Sequence, residues 1–220
     1  GLNIDYPLNQ TCCGQPMANS GCAKDVKVLA INFVNNFKDY DYIVAPSGSC
    51  VTMVKEHYAE FFNDDKDYNK VKASIYEVCE FFHDIIKIEN INFNVSFPFK
   101  VGVHNSCHGH RVLKLATASE LNIPYDSKLK NLLNTISDIE LVTLKREDEC
   151  CGFGGTFSVQ EEAISVAMGK DRIKDHIDSK AEIMTGADMS CLMHMDGIIN
   201  RDKNPIKVMH IVEILAGVKP

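Results

Sequence analysis

The stretch Asp148–Glu162, DECCGFGGTFSVQEE, sets two cysteines side by side, follows them with three glycines in four positions, and then passes into helix-compatible sequence. Adjacent residues across a trans peptide have Cα atoms about 3.8 Å apart, short of the span of about 4.4–6.8 Å that a disulfide prefers. A bond between Cys150 and Cys151 would be strained. The pair reads better as two thiols on one short loop facing a shared centre, with Gly152, Gly154 and Gly155 free to adopt positive φ and bring the backbone close to a ligand. The following helix, whose start is marked by the S-x-x-E capping pattern of Ser158 and Glu161, would place its positive end near the sulfurs and favour thiolate.

A second pair, Cys12 and Cys13 in TCCGQP, repeats the arrangement. Asn19 or Ser20 can cap a helix there, with Val26, Leu29, Ala30, Phe33, Val34 and Phe37 at helical spacing. Each pair is followed by a helix and then by a strand running into a lone cysteine: DYIVAPSGSC ends at Cys50 and AEIMTGADMSC at Cys191. A further strand, FKVGVHNSC, delivers Cys107 and leads into a helix expected to run to the break at Pro124, while IELVTLK supplies a strand before the second pair. Strands alternating with helices imply an α/β fold: two pseudo-repeated lobes, each with a small, mainly parallel sheet flanked by helices. In such sheets ligands gather at the carboxyl ends of strands, where these cysteines fall. The lobes are expected at 1–90 and 91–220, with 63–90 read as a charged loop plus an amphipathic connector helix.

Length and composition bound the function. The chain has 220 residues, 45% hydrophobic and 24% charged, with a formal charge of −7. It lacks a Lys/Arg-rich run, which argues against nucleic acid as a partner. No apolar run approaches the roughly 20 residues of a membrane helix and no leader resembles a signal peptide, so the expected location is cytoplasmic. Nine cysteines in that reducing compartment point to metal or redox chemistry before a disulfide framework.

No two cysteines have the C-x-x-C spacing of a zinc ribbon, and the compact ferredoxin run is absent. The remaining arrangement is a discontinuous site of Cys107, Cys150, Cys151 and Cys191, four thiolates that satisfy an iron–sulfur cluster. Cys12, Cys13 and Cys50 form a first set one thiol short. Cys22 and Cys79 read as small buried hydrophobes. His194 is a candidate outer group or substitute ligand; His104, His108 and His110 surround Cys107, although 107, 108 and 110 on one turn do not all face one side. Arg111 could offset cluster charge. Phe157 occupies the third glycine position of a dinucleotide fingerprint, which excludes a flavin or nicotinamide site there. The competing reading is a closed, redox-inert zinc site built from Cys107, Cys150, Cys151 and Cys191 or His194, which makes the chain a structural or assembly subunit.

Taken together, QTCCGQPMANSG, VAPSGSCVTMV, HNSCHGHR, ECCGFGGTFSV and DMSCLMHMDGII resemble the CCG cysteine-rich domain family of iron–sulfur oxidoreductase subunits, over nearly the whole chain. More distantly they resemble the B subunit of heterodisulfide reductase, whose duplicated motifs hold unusual 4Fe–4S clusters. The resemblance implies a subunit of a complex that oxidises L-lactate to pyruvate, with electron transfer as its work and other subunits, including an iron–sulfur or ferredoxin-like protein, as partners. It carries the ligand role onto Cys107, Cys150, Cys151 and Cys191, and onto Cys12, Cys13 and Cys50 as an incomplete first site, since the family's strand and cysteine before the first pair are absent from this sequence. Two departures stand out: where heterodisulfide reductase repeats C-x-x-C, this chain has Met53 after Cys50 and His194 after Cys191, which disfavours a cluster needing a fifth thiolate.

Overall fold

The computed structural model describes residues 2–220 and divides the chain into two units, one comprising the residues up to 45 together with 49–76, the other 46–48 and 77–220. In the first unit Gly14 turns the chain with φ +86° into a short helix α1 (Gln15–Asn19) with Pro16 near its start. Helix α2 (Ala23–Phe37) buries Val26, Ala30, Val34 and Phe37, which spacings of three and four place on one face. It starts after the expected caps Asn19 and Ser20. Cys22 is its N-cap and is exposed, which corrects the reading of that thiol as buried. Strand β1 (Ile43–Ala45) leads into α3 (Gly48–Thr52), so Cys50 sits in a helix's opening turns a few residues beyond the strand.

The segment expected to be loop and connector helix is broken by a strand. Helix α4 (Lys66–Ser74), capped by the Asp65 carboxylate accepting from Tyr68 N–H at 2.8 Å, ends at β2 (Ile75–Glu77), which pairs with β1. The alternation was hidden because Glu77, a residue that ordinarily reads as solvated, takes a buried strand position beside Ile75. Glu77 then caps α5 (Val78–Glu80), accepting from Cys79 N–H at 2.7 Å and Glu80 N–H at 3.3 Å.

Glu77 is fully buried, and burial pushes its carboxyl up to about 8 against the pull of those two N–H donors. The unfolded chain releases this proton near pH 4.5 while the folded chain keeps it until about 8, so the stability tied to it is complete below about 4.5 and lost as pH rises through about 8. Glu77→Gln is therefore expected to flatten the decline. In urea titrations at about pH 5 and about pH 9, wild type should lose more than about tenfold in its folding equilibrium relative to the variant. Parallel pH profiles for the two proteins would refute the assignment.

In the second unit four strands, β3 (Lys100–His104), β4 (Glu140–Leu141), β5 (Ile183–Gly186) and β6 (Lys207–His210), form an all-parallel sheet in the order β4-β3-β5-β6. Every residue of β5 is buried, as befits a parallel strand covered on both faces. In register, Val101 lies opposite Ile183 and His104 opposite Gly186. Helix α6 (Lys128–Leu133) precedes β4. Helices α7 (Phe157–Gln160) and α8 (Glu162–Asp178) join β4 to β5, α9 (Met189–Asp202) joins β5 to β6, and α10 (Ile211–Leu215) follows. Ile173 of α8, Met184 of β5, and Leu192, Met195, Ile198 and Ile199 of α9 form a core with Cys151. Residues 108–123 are not the continuous helix expected from the sequence. One turn spans His108–Val112, Lys114 takes φ +57°, and the chain folds back so that Ala116 bridges Ser127.

The strand order places the site. From β3 the chain crosses one way to β4 and then back past β3 to β5, so the connections leaving β3 and β5 diverge between neighbouring strands. Such a switch point opens a crevice at the carboxyl ends of its two strands. Cys107 lies three residues beyond β3, and Cys191 five beyond β5.

Candidate metal centre

The thiols of Cys107, Cys150, Cys151 and Cys191 meet at this crevice in one chain of contacts, from Cys107 to Cys150, Cys150 to Cys151 and Cys151 to Cys191. Cys150 is the acceptor at the centre of that chain. The S–H groups of Cys107 and Cys151, followed by the Gly152 N–H donating to its Sγ at 3.3 Å, hold Cys150 well below the usual thiol range, against burial. Cys107 and Cys151 are pushed up in turn, first by the proton each shares with Cys150 and then, for Cys151, by its contact with Cys191. Cys151 is buried, packed with Phe153 and α9, whereas Cys107, Cys150 and Cys191 are half-buried.

Gly152 makes the loop. Its φ is +87°, and a Cβ there would come within 2.6 Å of the Ser165 carbonyl oxygen on α8, so the loop approaches the helix closely only without a side chain. Ser165 Oγ donates to the Gly152 carbonyl at 2.8 Å and fastens it. The expected capping box of Ser158 and Glu161 does not form. Ser158 Oγ instead donates to the Gly155 carbonyl at 2.7 Å across the turn made by Gly154 and Gly155, and α8 begins after Glu161.

A buried polar network stands behind the loop, and sequence reasoning missed it. Arg172, fully buried on α8, bonds Asp175 Oδ2 at 3.0 Å through Nη1, donates to the Arg146 carbonyl, and through Nε donates to His104 Nδ1 at 3.2 Å. Asp175 accepts from the N–H groups of Lys145 and Arg146, each at 3.1 Å. Helix α8 thus holds the strand-end segment that leads into Cys150. Burial, then the Arg172 charge, pushes His104 down to about 3, and burial likewise keeps neighbouring His176 far below the usual imidazole value. A signal was present in the sequence: Ser165, Gly169, Arg172 and His176 recur at helical spacing on the stripe where apolar residues are expected.

The first unit carries a pseudo-equivalent arrangement. Gly14 N–H donates to Cys12 Sγ at 3.4 Å, with φ +86° matching Gly152, and Cys13 Sγ lies 3.5 Å from Cys50 Sγ. Tyr58 O–H fixes the loop by donating to the Cys13 carbonyl at 2.8 Å. Cys13 is pushed up, first by its contact with Cys50 and then by burial.

Other candidates from the sequence lie differently. His194 Nε2 faces Ser165, 3.3 Å from its carbonyl and 3.5 Å from its hydroxyl, and its ring lies 6.0 Å from that of Phe153. His110 is buried with Nδ1 on the Ser106 carbonyl at 2.8 Å, and His108 belongs to the same turn. Arg111 pairs with Glu120 at 2.8 Å, yet its charge still acts on Cys107. Cys79 is buried, as expected. The histidine that does reach the sulfurs is His104: one of its ring nitrogens and the Sγ atoms of Cys151 and Cys191 lie within 4.8 Å of one another.

No helix among the described residues is long and apolar enough to cross a membrane. The cysteine-rich domain family, CCG, matches residues 1–55 and 101–196, two segments that hold the two thiol sets. Lactate utilization protein A of Geobacillus thermodenitrificans is 40% identical over 219 residues, covering 98% of this chain and 86% of the relative. The protein of the same name from Exiguobacterium is 37% identical over 226 residues, covering 100% of this chain and 87% of its own length, and that of Oceanobacillus iheyensis is 37% identical over 219 residues, covering 98% and 84%. With its paired cysteine loops on two pseudo-repeated units and this likeness over nearly its full length, the chain belongs to the CCG cysteine-rich domain family, whose members include the lactate utilization A proteins.

Proposed function

We propose that this chain is the iron–sulfur subunit of an oxidoreductase complex that oxidises L-lactate to pyruvate, and that it works in electron transfer through a 4Fe–4S cluster held by Cys107, Cys150, Cys151 and Cys191. The observation that carries this reading is the meeting of four thiols from three separate strand-end loops at the switch point of a parallel sheet. The names of its relatives support lactate as the substrate.

The donor set suits the group: four sulfurs, one already favoured as thiolate, beside a backbone N–H aimed at sulfur. When bound, such a cluster supplies a one-electron couple whose potential is set by charge, hydrogen bonding and exposure. The chain's own residues then have separable tasks. Cys107 and Cys191 reach in from either side of the crevice, Cys150 and Cys151 close the set from the loop fastened by Ser165, and Arg172 with Asp175 keeps that loop in register. Phe153 and the α9 core exclude water on the Cys151 side. Cys12, Cys13 and Cys50 form the incomplete counterpart. Partners are the complex's other subunits, among them an iron–sulfur or ferredoxin-like protein. A cytoplasmic setting, where thiols stay reduced, suits nine free cysteines.

Anaerobic purification followed by iron and acid-labile sulfide analysis and electron paramagnetic resonance tests the proposal. About four irons and four sulfides per chain, with a signal that appears or vanishes on reduction, are expected. A colourless protein with stoichiometric zinc would overturn the redox role in favour of a closed structural site.

A further inference from the structure

His104 ends β3 with its ring beside the sulfurs, and its two nitrogens are in different situations. Nδ1 receives the Arg172 Nε–H at 3.2 Å. Nε2 is fully buried and has no protein partner among the described residues. An arginine N–H meets only a lone pair, so this contact fixes the tautomer: Nδ1 is the acceptor, and the ring proton sits on Nε2. An imidazole in that tautomer has no lone pair on Nε2 with which to bind a metal.

We propose that His104 is not a ligand of the centre but the donor of an Nε2–H hydrogen bond to its sulfurs, with Arg172 as the positioning residue that sets the tautomer. The inference rests on the iron–sulfur reading above. Three further features support it. The Arg172 guanidinium is itself held by Asp175 and the Arg146 carbonyl, so it cannot swing away without breaking a buried ion pair. Gly186, opposite His104 in β5, places no side chain against the His104 backbone, where a Cβ would come within 2.8 Å of the His104 carbonyl oxygen. The remaining unpaired donor on Nε2 is costly to bury unless something accepts from it, and with the His104 ring within 4.8 Å of Cys151 and Cys191 Sγ, the negatively charged sulfurs of a filled centre are the nearest acceptors. A hydrogen bond to sulfur favours the reduced, more negative state of a thiolate-bound cluster and so raises its potential.

The test uses the full chain, purified without oxygen and reconstituted with iron and sulfide, with ¹⁵N-labelled histidine. Pulsed electron paramagnetic resonance of the dithionite-reduced wild type should show a weak histidine nitrogen coupling together with an exchangeable proton. A strong coupling typical of a metal-bound nitrogen, or no histidine coupling at all, would overturn the proposal. His104→Leu should keep its iron and lose about tenfold in the reduced-to-oxidised ratio at fixed ambient potential, equivalent to about 59 mV for one electron, and His104→Gln, which restores an N–H donor, should recover part of that shift. Loss of iron in both variants would mark His104 as a ligand and refute its role as a donor. Wild-type protein that takes up no iron at all would sink the iron–sulfur reading and this inference with it, whereas iron bound through nitrogen would sink the inference alone.

Discussion

Cys150→Ser is expected to reduce the iron bound by anaerobically purified protein at least about tenfold, because a serine hydroxyl does not supply the thiolate on which the site is organised. Cys150 accepts contacts from two neighbouring thiols and from the Gly152 N–H, so its removal breaks the chain of sulfurs in the middle. The side chain is half-buried and the change is nearly isosteric. Circular dichroism and the thermal midpoint of the metal-free protein should therefore move little, separating loss of binding from loss of fold. Cys22→Ser, at an exposed helix cap and a member of neither cysteine set, is the matched control and should retain its iron. If Cys150→Ser held wild-type iron with an unchanged spectrum, the four-thiol assignment would be untenable.

The largest loss of stability is expected at Arg172→Leu, roughly 3–5 kcal/mol, the usual cost of removing one partner from a buried ion pair and stranding the other. Asp175 would keep its two backbone donors but lose the guanidinium, and the Arg146 carbonyl and His104 Nδ1 would lose theirs. Urea unfolding of the metal-free, reduced protein measures the effect directly. In a double-mutant cycle, Asp175→Asn in the Arg172→Leu background should cost much less than in wild type, because the pair acts as a unit. A change below about 1 kcal/mol for Arg172→Leu would mean the network contributes nothing beyond packing.

Much of this arrangement was legible in the chain because its signals are local. The paired cysteines, their trailing glycines and the lone cysteines after apolar strands announce a repeated α/β unit, and the structure sets Cys107 and Cys191 just beyond the carboxyl ends of the parallel strands β3 and β5. What escaped has physical reasons. Strand β2 was masked by Glu77, whose burial is sustained by protonation and by capping α5. The helix expected after Cys107 was broken by a left-handed Lys114 and the Ala116–Ser127 bridge, a long-range pairing that outweighs local propensity. Arg172 and Asp175 look like an ordinary i, i+3 surface pair until the helix is seen to turn them inward. The nearness of His104 to Cys151 and Cys191 depends on the register of β3 against β5, which one sequence does not reveal.

The placement of the second thiol set on either side of the sheet's reversal also governs when it can come into being. As the chain leaves the ribosome, Cys107 emerges just after β3, but Cys191 follows only after β5, with α9. Because a unit of this kind folds as a whole, the nascent unit offers isolated thiols until β5 and α9 have been made. Any inorganic cargo must be delivered after α9 has emerged, to a sheet whose strand order brings β3 and β5 side by side.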